Sequence, residues 1–139
     1  MKRITTALAL FVASLFITAG VWAQSVKANV PFDFTIDKTT VPAGTYIISA
    51  TSPDVLRISE DQKHVHLLTT AIMNSANSGK GNVLVFHKYG NQYFLSEIRS
   101  TDSAAMNLRL PVWKSEKRAA AQTQEAGIPL SSDVLVALN

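Results

Sequence analysis

From Val30 to Asp37 the chain alternates strictly. Val30, Phe32, Phe34 and Ile36 are apolar, and Pro31, Asp33, Thr35 and Asp37 stand between and after them. Successive side chains of an extended strand point to opposite faces, so this two-residue period gives one apolar and one polar face. A helix would scatter the same residues around its axis. The segment therefore predicts a half-buried first strand. Pro31 has no N–H to give to a ladder, which favours an edge position or the strand's start.

Turn signals then cut the chain into short pieces. In Val41-Pro42-Ala43-Gly44-Thr45-Tyr46, Pro42 presets φ and Gly44 tolerates positive φ. Thr45 to Ala50 is β-branched and aromatic and reads as a second strand. Ser52-Pro53-Asp54 turns the chain into a third strand, Val55 to Ser59, and 60–63 is a polar connection to a long fourth, His64 to Met73. Asn74 to Asn82 reads as a flexible loop. Val83 to Lys88 and Tyr93 to Arg99 flank Tyr89-Gly90-Asn91-Gln92. With Gly90-Asn91 as a two-residue loop, Lys88 faces Tyr93, Phe86 faces Leu95, and His87 lies opposite Phe94 on the other face.

Ser100 to Asn107 is polar and reads as a loop, and Pro111 argues against a central strand in Leu108 to Trp113. Ser115 is placed to cap a helix of about residues 115–126, with Glu116 in its first turn and Gly127 and Pro129 ending it. Its stripe is mostly alanine (Ala119, Ala120, Ala121, Ala126), so the helix is expected to lie lightly on its own domain or to fray. Val134 to Leu138 is a last β segment or a tail packed on the sheet. The expected fold is mostly β: an antiparallel β-sandwich or open barrel with one appended C-terminal helix. Phe32, Phe34, Tyr46, Phe86 and Phe94 are its expected aromatic core.

The N-terminus has another character. Met1-Lys2-Arg3 is basic, and no charge occurs from Ile4 to Ala23. The apolar stretch through Leu8, Phe11, Leu15 and Ile17 gives way to Thr18-Ala19-Gly20, and Val21-Trp22-Ala23 has the spacing of a leader-peptidase site. The chain thus divides into a secretory signal peptide, 1–23, and one mature β domain, 24–139, with cleavage between Ala23 and Gln24. A cut after Ala28 is the second choice. A membrane anchor needs about 20 apolar residues, and this run is interrupted by Thr, Ser and Gly. Membrane contact is expected only through the signal peptide before cleavage, and the location as secreted or periplasmic.

Composition narrows the classes. Of 139 residues none is cysteine, so an exported domain here has no disulfide to hold it and must rely on its core. The formal charge of +3 includes Lys2 and Arg3, and the remainder is close to neutral. With no basic run, nucleic acid is not an expected partner.

Two stretches carry a resemblance. Ala28-Asn29-Val30-Pro31-Phe32-Asp33-Phe34, followed by Val41-Pro42-Ala43-Gly44-Thr45-Tyr46, resembles the start of a group of small exported bacterial proteins of unknown function. The group typically continues as Val85-Phe86-His87-Lys88-Tyr89-Gly90, Tyr93-Phe94-Leu95, Leu110-Pro111 and a helix such as that at Glu116 to Ala120 do here. The resemblance implies export and assigns no activity.

Few residues suggest chemistry. In His64-Val65-His66 two imidazoles on one strand face would supply two metal ligands, with His87 as a third and Glu60, Asp61 or Glu97 as a carboxylate. Zinc or another divalent transition metal is the cofactor of that reading, and solvated histidines on a polar face are the plainer one. Tyr89, Tyr93 and Trp113 are candidates for an aromatic ligand platform, although aromatics at strand positions are more often core. Asp33 and Asp37 share a strand face at a spacing open to a carboxylate pair, but read better as solvated charges. Gly79-Lys80-Gly81 lacks the rest of a phosphate loop. There is no Gly-x-Ser-x-Gly elbow, no His-Glu-x-x-His helix and no thiol. The expectation is an exported, non-enzymatic β domain with a structural or binding role in the cell envelope or outside the cell. It would recognise an unidentified envelope or extracellular partner through loops 74–82 and 100–107. A metal-binding protein is the alternative.

Overall fold

The structure, a computed structural model, describes residues 24–62, 66–74, 81–129 and 132–139, with the backbone alone at His66. Four strands form a first sheet: β1 (Ser25–Val30), β4 (Gly44–Ser52), β5 (Val55–Glu60) and β6 (His66–Thr70), ordered β1-β4-β5-β6 and antiparallel throughout. The second sheet is seven-stranded. Its main path is β11 (Ser132–Ala137), β8 (Val83–Tyr89), β9 (Gln92–Arg99), β10 (Leu108–Arg109) and β7 (Ile72–Met73). The hairpin of β2 (Phe34–Ile36) and β3 (Thr39–Val41) joins it through a parallel contact of β2 with β9. One helix, α1 (Lys114–Glu125), lies outside. The chain is thus mostly β, two sheets and a C-terminal helix, as the turn spacing implied.

The predicted first strand is two elements. Alternation holds, since Val30, Phe34 and Ile36 are all buried, but Pro31-Phe32-Asp33 is a corner where the chain leaves the first sheet for the second. A residue without an N–H is tolerated there because no ladder bond is required of it. The predicted strand from His64 to Met73 also divides: buried Ala71 separates β6 from β7, which belong to different sheets. At the opposite side Ala28 bridges Leu138, and Asn139 N–H donates to the Lys27 carbonyl at 2.8 Å. The sheets are therefore tied at both margins, as in a partly opened barrel.

Between them lies one core. Phe86 is its centre, meeting Phe32 and Phe34 edge-on at ring-centroid distances of 5.0 and 5.3 Å. Tyr46, Ile48, Leu56, Leu84, Leu95, Ile98 and Met106 fill the rest. The β8–β9 hairpin has the expected register, with Lys88 opposite Tyr93, Phe86 opposite Leu95 and His87 opposite Phe94. Gly90 supplies the positive φ, +60°, that the two-residue turn demands. The pairing shifts by one residue between Val85 and Phe86, leaving Ser96 as the extra residue of a bulge on β9. Phe94 and Val85 are buried but face outward, away from the main core.

The helix begins one residue earlier than expected, and Trp113, not Ser115, is its N-cap residue. The Ser115 hydroxyl instead donates to the Asp37 carbonyl, tying α1 to the β2–β3 turn. Of the alanine stripe only Ala119 is buried. Glu116, Ala119 and Thr123 are its buried residues, whereas Ala121 and Ala126 are exposed.

Candidate functional site

Two places combine geometry with chemistry. The first is a slot of about 500 Å³ beside β6. Leu67, Leu68, Thr69 and Thr70 form one wall, with Val55 next to them. Ile36, Asp37, Thr39 and Trp113 line the slot from the β2–β3 hairpin and the start of α1. Consecutive residues of β6 reach it because the slot runs along the strand's edge, where both faces are in view. Among the described elements β6 pairs with β5 alone, and none of them takes up the backbone groups of its other edge. Leu68 is 64% exposed there, and Ile72 and Met73 continue the exposed apolar line around the corner. Among the described residues Asp37 is the one ionisable residue in the lining, and it holds φ of +53°. The Trp113 indole N–H is buried without an acceptor among the described residues, which costs about 1–3 kcal/mol wherever it occurs.

The second place is a polar cluster where α1 meets the outer face of the second sheet. His87 Nδ1 lies 2.6 Å from Glu116 Oε1, Tyr89 Oη donates to the same oxygen at 3.1 Å, and Ser96 Oγ lies 3.0 Å from His87 Nε2. Asp133 Oδ1 stands 3.7 Å from Nε2. The hydrogen bond to Glu116 holds the imidazole above the ordinary histidine pKa. Partial burial opposes it, and the charges of Glu116, Asp133 and Glu97 add to it. Burial first, then the charge and hydrogen bond of Glu116, push the Tyr89 phenol up to about 12. The bulge at Ser96 turns its hydroxyl to the face that His87 occupies.

Serine, histidine and carboxylate in this order match the connectivity of a nucleophile relay. Here the serine is 6% exposed and the carboxylate 2% exposed, so no substrate carbonyl has a path to Oγ. What the arrangement does is fasten α1: a charged acceptor in the helix's first turn takes two donors from β8.

The residues singled out in the sequence are dispersed. His64 lies outside the described residues, as does the side chain of His66. Both ring nitrogens of His87 are engaged as above. Among the described residues no group of three or more His, Asp or Glu is arranged to hold a metal ion. Tyr89 lies on the outer face. Tyr93 lies against the core, stacked on Phe32 at 4.0 Å with Lys88 5.5 Å above its ring. Trp113 lines the slot, so the three aromatics share no surface. Asp33 accepts the Ala43 N–H at 2.9 Å and stabilises the turn into β4. Of the two loops, 75–80 lies outside the described residues, and 100–107 is folded around buried Asn107 and Met106 rather than open for recognition. Ala23 lies outside the described residues, and Gln24 is the first one within them.

The slot and Glu116 were not visible in the sequence. The slot gathers residues from Ile36 to Trp113, far apart in the chain, and a glutamate in a helix's first turn ordinarily reads as a solvated charge favourable to the helix dipole. Fold and slot together define a two-sheet β domain with an apolar slot at the edge of β6, which no further described strand pairs. No protein-family profile, no curated protein and no solved structure matches the chain.

Proposed function

We propose that the chain is an exported, non-enzymatic binding domain of the cell envelope or the extracellular space, and that the slot beside β6 is its binding site. The leader-like segment 1–23 supports export. The observation that carries the binding reading is the slot itself: an apolar recess next to a strand edge that no other described strand pairs. Recessed apolar surface with a few polar groups is the usual form of a ligand site. The polar cluster at His87 supports a rigid scaffold behind it, because Trp113, Ser115 and Glu116 are near neighbours in the chain and fix the slot wall, the Asp37 turn and the helix together.

Trp113 gives a direct test. In the full chain carrying Trp22→Phe it is the only tryptophan. Titration with the neutral dye Nile red is expected to quench Trp113 saturably, and Leu68→Glu, at an exposed position, is expected to weaken the dye several-fold. Quenching that is absent, or indifferent to Leu68→Glu, overturns the slot as the site.

A further inference from the structure

We infer that the slot takes an extended polypeptide segment, added as a strand along β6, with apolar side chains and one basic side chain opposite Asp37. This rests on the slot being the binding site and names what fills it. A lipid tail would cover the apolar lining but offers the edge of β6 no donor or acceptor, and a sugar offers hydroxyls without the regular spacing of a strand, whereas a second backbone matches the edge group for group. Strand addition gets its affinity from those main-chain bonds and its selectivity from alternate side chains. The edge of β6 is five residues long, room for roughly 17 Å of strand.

The lining says more about the occupant. Leu67, Leu68, Val55, Ile36 and Trp113 ask for aliphatic side chains, and the threonines tolerate polar ones. Asp37 is the sole charge among the described lining residues, so a lysine or arginine at that end is matched and an acid is repelled. Charge favours a free segment over a second copy of the chain, because β6 itself, with the sequence His-Leu-Leu-Thr-Thr, brings no lysine or arginine to set opposite Asp37.

The probe is a synthetic seven-residue peptide alternating valine and threonine, with one threonine replaced by lysine. Its twins carry either N-methylated alternate amides or no lysine. They are added to the full chain with Trp22→Phe, and binding is read by Trp113 fluorescence and by hydrogen exchange of the β6 amides. The expected result is binding of the lysine peptide with slowed exchange at Leu67–Thr70, lost on N-methylation. Asp37→Asn keeps a residue tolerant of positive φ, and should weaken the lysine peptide about two- to fivefold while leaving the lysine-free twin unchanged. Equal binding of the N-methylated twin, or no change in exchange, overturns strand addition. If Nile red still reports the slot in that case, the site stands and only its occupant is wrong. Loss of both signals removes the site as well. Protection of β6 that grows with protein concentration and needs no peptide would assign the edge to a second copy instead.

Discussion

His87 and Glu116 face each other at 2.6 Å across the seam between β8 and α1, and the carboxylate is almost wholly buried. The pair makes stability depend on pH. Because the folded imidazole binds its proton more tightly than the unfolded one, its contribution is fully present below the ordinary value of 6.5. It is lost as pH rises through the raised folded value. His87 is 27% exposed, so solvent screens part of the effect. Melting temperature followed between about pH 5 and 9 should show this step down above 6.5 in the wild type. His87→Gln should lack it. An identical profile in both proteins would show that the pair is not coupled to folding.

Glu116 has two donors to satisfy, and the second is Tyr89. Tyr89→Phe should cost about 1 kcal/mol, since the remaining donor still serves the carboxylate. Glu116→Ala leaves His87 Nδ1 and the Tyr89 hydroxyl without their acceptor and should cost about 2–3 kcal/mol. It should also bring the His87 titration, followed by NMR, back down towards 6.5. In the wild type the Tyr89 phenolate should emerge only near pH 12 by near-ultraviolet absorbance, and earlier in Glu116→Ala. If neither titration moves, Glu116 is not what perturbs these groups.

How much of this the sequence discloses depends on range. The β8–β9 register was legible because Gly90-Asn91 fixes the turn and alternation fixes the faces. The bulge at Ser96 was not, since Phe94-Leu95 is apolar on both faces and hides the slipped phase. β1 was missed at Ser25 to Asn29, where Val26 and Ala28 alternate but a fully buried alanine contributes a weak signal. The corner at Ala71 was invisible for the opposite reason: the β pattern continues through it while the chain changes sheets. Slot and helix latch are tertiary pairings between distant segments, and no local period encodes them.

Asn107 holds the segment after β9. Its Oδ1 accepts the Ser100 N–H at 3.1 Å, and its Nδ2 donates to the carbonyls of Ser100 and Ser103 at 2.8 and 3.2 Å. The side chain is 1% exposed, so water does not replace these bonds. Asn107→Ala strands both Ser100 backbone groups and should cost about 2–4 kcal/mol in urea unfolding. Asn107→Asp keeps the acceptor but sets a carboxylate oxygen against two carbonyls, and should cost at least as much at neutral pH. A change below about 0.5 kcal/mol for either would mean that the loop does not depend on this residue.

Ala71 sits where β6 becomes β7, and the switch between sheets needs a small residue there. Its side chain is buried, its N–H donates to the Asp54 carbonyl at 3.0 Å, and its neighbours Thr70 and Ile72 belong to different sheets. Enlarging it pushes the two sheets apart at their shared margin. Ala71→Leu should therefore cost about 1–3 kcal/mol as an overpacked core position. Ala71→Gly leaves the packing nearly intact and should cost about 1 kcal/mol through chain entropy. The larger residue should also widen the slot beside β6, so Nile red affinity and Trp113 emission should shift in Ala71→Leu and stay put in Ala71→Gly. If both variants lose equal stability with the dye unaffected, the corner is only a connection, and the width of the slot is set from the Trp113 side alone.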